Sequence, residues 1–187
     1  MKKKIIFTIA LSFYFLFNAQ AQIPGDFIKG TITLADGSAV NGYLKENIKK
    51  DASVIFIDAN GLNKQHYDGS QINAVSFDAS NYLCIKGDFF KTICTGKICF
   101  LQKASNASGK PTYNGGEASF VSGTPGKIGD YFSYSNSQLT HITKKTVDVF
   151  INEQLVSCAP ATEKAKLING NIAALAEAVS IYNSLNK

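Results

Sequence analysis

The sequence predicts an α+β fold, an antiparallel β-meander or barrel-like sheet followed by a C-terminal helical segment. Three observations predict it. From Phe27 to about Thr143, short apolar or alternating runs are separated by Gly, Asn, Asp and Ser, with strands recurring about every ten residues. After Thr143 the apolar spacing changes to that of a helix. The chain has 187 residues, 45% of them hydrophobic and 18% charged, which suits one globular domain or at most a small second one.

The first 21 residues read as a signal peptide: Lys2, Lys3 and Lys4 form a basic start, Ile5 to Phe17 is apolar, and Ala19-Gln20-Ala21 offers small residues for cleavage. An apolar run of that length rises only about 20 Å as a helix, short of a bilayer's ~30 Å hydrocarbon core, so cleavage is expected rather than a transmembrane anchor. The expected organisation is residues 1–21 as signal peptide, 22–143 as β-rich domain and 144–187 as helices packed on that domain. The mature chain would carry 16 lysines against 14 carboxylates.

The first hairpin is fixed by register. A three-residue loop Ala35-Asp36-Gly37, with Gly37 left-handed, sets Ile32 opposite Val40 and Ile28 opposite Leu44, with Lys29 and Tyr43 on the other face. A two-residue turn would split the apolar face. Val54 to Ile57 follows as a buried strand ending in the turn Asp58-Ala59-Asn60-Gly61. Gln65 to Asp68, Ile72 to Phe77 and Tyr82 to Lys86 read as further strands. Phe89 to Cys94 and Ile98 to Lys103 form a hairpin about a Gly96-Lys97 turn. Ala104 to Gly116 is polar and reads as an exposed, mobile loop, and strands are expected again at Ala118 to Ser122, Tyr131 to Tyr134 and Leu139 to Thr143.

Val147, Phe150, Ile151 and Leu155 then line one helix face, with Thr143 as N-cap. Pro160 opens a second short helix ending near Leu167. Asn171 precedes a third, striped by Ile172, Leu175, Val179 and Tyr182.

All four cysteines lie beyond the signal peptide, an even count suited to an oxidising compartment. About a Gly96-Lys97 turn, Cys94 falls opposite Cys99 in a position that permits a disulfide. Cys84 and Cys158 are the other candidate pair, which would staple the helical tail to the sheet.

Several chemistries find no support. Every basic residue is lysine, so the planar fork that usually reads phosphate is missing and nucleic-acid binding is not expected. Gly123-Thr124-Pro125-Gly126-Lys127 looks like a phosphate loop only superficially, since Ile128 stands where a Ser or Thr is needed. Asp58, Asp68, Asp78 and Asp88 recur every ten residues without a calcium-loop pattern, and read as turn formers. His66 and His141 lack metal-ligand spacing. No cofactor, metal or catalytic motif is predicted.

The leader ending Asn18-Ala19-Gln20-Ala21-Gln22, the Gly30 to Gly37 series followed by Gly42-Tyr43-Leu44, the Gly96-Lys97 hairpin, Cys158-Ala159-Pro160, and Ala178-Val179 with Tyr182-Asn183 are similar to an uncharacterised exported protein family of Bacteroidota. The resemblance implies export and supplies no reaction. Residues 171–186 read as helix rather than a β-sandwich secretion tag, which favours the periplasm over release. The expectation is a non-enzymatic envelope-associated binding module, engaging an envelope protein or small ligand through sheet edges or the 104–116 loop. The alternatives are a small hydrolase or transferase using His141, Asp130 and Tyr131, and a β-barrel holding an apolar ligand.

Overall fold

The predicted elements form in order, and the first hairpin adopts the predicted register. Gly37 takes φ 86°, its N–H donates to the Leu34 carbonyl at 2.9 Å, and Leu34 N–H donates to Ser38 O at 2.9 Å. Ile32 therefore faces Val40, and Ile28 faces Leu44. The computed structural model describes residues 23–114 and 117–186; the expected signal peptide lies outside them.

Ten strands make one antiparallel sheet. In chain order they are β1 (Ile28–Leu34), β2 (Ala39–Asn47), β3 (Ser53–Asp58), β4 (Lys64–Asp68), β5 (Ile72–Phe77), β6 (Ser80–Ile85), β7 (Asp88–Cys94) and β8 (Cys99–Lys103), then β11 (Tyr131–Ser135) and β12 (Gln138–Ile142). The spatial order is β12-β11-β8-β7-β6-β5-β1-β2-β3-β4, so β4 and β12 are edges and the sheet is not a closed barrel. β9 (Pro111–Asn114) and β10 (Glu117–Phe120) form a separate hairpin.

The sheet cannot be flat at the β4 end. Strands β1, β2 and β3 separate β4 from β5, roughly 19 Å across four flat inter-strand spacings. Yet only residues 69–71 join them, a reach of about 14 Å at full extension. The sheet therefore curls, and an isolated bridge between Gly69 and Gly87 ties the curled end back on itself. A Cβ on Gly69 would lie 2.2 Å from the Gly87 carbonyl oxygen, so glycine is what permits that approach. Ile32, Leu44, Val54, Phe56, Phe77 and Phe89 fill the curl.

One row of cross-strand partners shows how the face is divided. It runs Ile32, Val75, Tyr82, Lys91, Gln102, Tyr131, Ile142 across β1, β5, β6, β7, β8, β11 and β12. The apolar row is broken at Lys91, which is exposed. On one side lies the core of the curl. On the other, helices cover Phe100, Tyr131 and Ile142. Phe90, Leu101 and Phe132 form a third cluster.

The helical elements are α1 (Ile48–Asp51), between β2 and β3, and, after the sheet, α2 (Val147–Phe150), α3 (Ala159–Lys166) and α4 (Leu175–Leu185). α2 runs on as a π-helical turn, Ile151–Leu155, and α4 is preceded by the 3₁₀ turn Ile172–Ala174. The predicted stripes are buried: Phe150 and Leu155 in one, Leu175, Val179 and Tyr182 in the other. Thr143 Oγ1 accepts the Lys145 N–H, but regular helix begins only at Val147.

Two expectations are corrected. Within the expected 104–116 loop, residues 104–114 are not free: Ser105 and Ala107 are buried, the Phe89 N–H donates to Ser105 Oγ at 2.8 Å, and β9 pairs with β10. The cysteines are free thiols, and Cys94 stands opposite Phe100 instead of Cys99. The predicted register holds through Thr92 and Leu101 and then shifts by one residue. At the turn, Asn183 of α4 accepts the Ile98 N–H (3.0 Å) and donates to Ile98 O (2.8 Å) and Thr95 O (3.2 Å). With Ile98 bonded to a helix side chain, the tight closing pair is lost, and Cys94 turns toward the helices while Cys99 packs with the Phe90 cluster. Cys84 packs in the curl and Cys158 among the helices, so this second pair is not brought together either.

Candidate functional site

The sequence hides a buried ion pair that organises the region beside the curl. Asp88 and Lys103 are both inaccessible to solvent, with Nζ 3.0 Å from Oδ2. Strand alternation puts them there: Phe90 faces Lys103, and Asp88, two residues earlier, shares its side of the sheet. Buried charges are tolerated only when their remaining donors and acceptors are satisfied. Here Lys103 donates to the carbonyls of Thr124 (2.6 Å), Pro125 (3.4 Å) and Gly126 (3.4 Å). Asp88 accepts the Ala107 N–H at 2.6 Å, the Thr124 N–H at 2.7 Å and the Thr124 hydroxyl at 2.6 Å.

This clamp assigns the phosphate-loop lookalike a role opposite to its apparent one. Carbonyl oxygens of residues 124–126 converge on an internal ammonium, whereas a phosphate cradle presents N–H groups. It also separates Asp88 from the other members of the ten-residue series. Asp58 and Asp68 are turn formers as expected, accepting the N–H groups of Asn60 and Ser70. Asp78 sits in a hairpin turn with φ 53°.

By holding Ala107 and Thr124, the clamp fixes one wall of a cavity of about 370 Å³. That wall is Ala107, Lys110, Pro111 and Val121; the Val121 N–H donates to Lys110 O at 2.9 Å, keeping the two segments together. The facing wall is Asp51 and Ala52 at the end of α1 with His66 and Asp68 of β4, and Gly69 and Gly87 lie where the curl closes. Ala52 takes a left-handed conformation, φ 48°, as α1 turns into β3. Ala52, Gly69, Gly87 and Ala107 are buried, and Asp51, Asp68 and Lys110 are half-exposed above them. An apolar floor under a few convergent polar groups is the usual form of a small-ligand site.

The residues singled out for a hydrolase meet elsewhere. Cross-strand pairing aligns Leu101, Phe132 and His141, so the His141 ring stacks on Phe132 with centroids 4.6 Å apart. His141 Nε2 lies 3.0 Å from Asp130 Oδ2, which also accepts the Lys127 N–H at 2.8 Å. With Tyr131 they border an open groove of about 440 Å³ at the β12 edge, whose other polar side chains are Thr143, Lys144 and Asn171. The pair is thus committed to a turn and an aromatic face.

Burial pushes the Cys84 thiol pKa up, and the Asp68 carboxylate adds to the shift. Burial also raises Cys94, whose sulfur lies 3.8 Å from the Ala176 carbonyl. Neither is poised as a nucleophile. Sequence reasoning missed Lys103, Asp51 and Lys110; for Lys103 the signal was available, a lysine on the same strand face as Leu101.

Compared with known proteins, the chain matches no family model, no curated protein and no solved structure.

Proposed function

We propose that this protein is a non-enzymatic, exported binding module of the periplasm or envelope, taking its ligand in the cavity between β4 and the 107–111 segment. The observation that carries this is the clamp: two buried charges and six hydrogen bonds hold the 105–110 and 121–126 loops against the curl, and the result is one preformed concave wall. Preformed sites of this kind bind without reorganisation. The leader-like start and the resemblance to exported Bacteroidota proteins support the location. Among the described residues no helix is long and apolar enough to cross a membrane.

The test is native mass spectrometry of protein recovered from intact envelope, beside the pocket-filling variant Val121→Phe. A small molecule or crosslinked envelope component retained by the wild type and lost in the variant is expected. Equal retention by both, or none by either, overturns the reading. Export is checked by fractionation and intact mass: a mature form beginning at Gln22 is expected, and an uncleaved chain in the inner membrane contradicts it.

A further inference from the structure

The clamped cavity is lined by both signs of charge. Asp51 and Asp68 line it from α1 and β4, each with one oxygen bonded locally, to Asn47 and Ser70, and Lys110 lines it from the 107–111 segment, which the Asp88–Lys103 clamp fixes. Between them the buried floor is Ala52, Gly69, Gly87 and Ala107, without a charge of its own. His66 is the remaining ionisable group on the lining, and it sits on the acidic side.

Such an arrangement discriminates by charge geometry. A monoanion meets one ammonium but two carboxylates; a monocation meets two carboxylates and is preferred over the anion, yet it leaves Lys110 without a partner. Only a molecule carrying both signs a short distance apart satisfies both walls at once, and the small-residue floor leaves room for an apolar substituent between them. A cavity of about 370 Å³ is at the small end of ligand sites, generally about 300–1,000 Å³, and suits a small ligand. Resting on the binding reading above, we propose that the ligand class is a small zwitterion with an apolar side group, an amino acid or very short peptide, with its ammonium toward Asp51 and Asp68 and its carboxylate toward Lys110.

Calorimetry of the full mature chain with L-leucine and L-leucyl-L-leucine tests this, beside N-acetyl-leucine, which lacks the positive charge, and leucinamide, which lacks the negative one. Each blocked form should bind about tenfold or more weakly than the parent. Lys110→Gln should abolish the preference for leucine over leucinamide while keeping that over N-acetyl-leucine; Asp51→Asn with Asp68→Asn should do the converse. Thermal melts of the variants establish that they fold. Equal binding of blocked and unblocked forms, or no saturable binding of either parent at millimolar concentration, overturns the proposal. If, at the same time, wild type retains an envelope ligand that Val121→Phe loses, the ligand class is wrong and the binding site stands; if that retention also fails, the binding reading falls with it.

Discussion

The two halves of the sheet solve one problem in different ways. An antiparallel sheet must cover its apolar face. Around β1 to β6 the sheet covers itself by curling, with Phe56, Phe77 and Phe89 meeting inside. From β8 to β12 that face is covered by helices arriving from the end of the chain, with Phe100 and Ile142 against Phe150, Leu155 and Leu175. The first solution uses residues closer in sequence; the second waits, at Phe100, for contacts roughly 50 to 80 residues away, which are slower to form. Lys91 and Gln102 mark the divide, and the Asp88–Lys103 pair sits at the same β7–β8 junction. The preformed cavity borders the curl's core through Ala52 and Ala107, and its outer wall is the loops clamped beside that core.

The largest expected effect that separates the halves is from Phe100→Ala. It removes a fully buried ring from the helix-backed core and should destabilise by about 3–5 kcal/mol. Hydrogen exchange should show the loss in residues 147–182 ahead of β1 to β3, and Phe56→Ala should show the reverse order. An equal loss everywhere in both variants would mean one cooperative core.

Asn183→Ala should cost less, about 1–3 kcal/mol, by leaving the Ile98 backbone groups without their partner. The β7–β8 turn should then loosen, and air oxidation should yield a Cys94–Cys99 disulfide faster than in the wild type, as judged by peptide mapping. An unchanged rate would show that Asn183 is not what sets the register.

Thiol labelling sharpens the comparison further, because Cys84 packs in the curl and Cys94 against the helices. Burial raises both Cys84 and Cys94, so at neutral pH both should alkylate more slowly than a free thiol. In Phe100→Ala, Cys94 should gain reactivity while Cys84 does not. A joint gain would again merge the cores.

The smallest effect is with acid. Asp26, Asp36 and Asp58 all lie in the curled half and have pKa values lowered, chiefly by bonds from the Lys45 ammonium, the Ser38 hydroxyl and the Leu62 N–H. A folded value below the unfolded one means that their contribution is complete above about pH 4, the unfolded value, and is lost as pH falls through the lower folded value. NMR titration of these carboxyls should show midpoints below those of unfolded peptides; midpoints at or above them would contradict the turn geometry.

The sequence disclosed what local rules determine. The Ile32–Val40 register follows from alternation and one turn, and the Leu175–Val179–Tyr182 stripe from helical period. It did not disclose what depends on distant partners. Cys94 misses Cys99 because Asn183, over 80 residues later, occupies the turn. The 104–110 stretch reads as a free loop in sequence because the Ala107 N–H and the Ser105 hydroxyl find buried partners in Asp88 and the Phe89 N–H, which spacing alone does not reveal. Asp88 itself hid among turn-forming aspartates. Of the cavity, His66 and the 104–116 region were noticed separately, but the curl that brings β4 to them follows from strand order.

Lys103→Met tests the central claim, that the buried ion pair, beyond the wall's packing on the curl, is what fixes the cavity wall. It leaves Asp88 buried without its counter-charge, at a cost of about 3–5 kcal/mol. Hydrogen exchange by mass spectrometry, at a temperature where the variant remains folded, should show protection lost in residues 104–110 and 121–126, with β1 to β3 and the helices 147–182 close to wild type. Protection lost first in the helices, or evenly along the chain, would contradict the account.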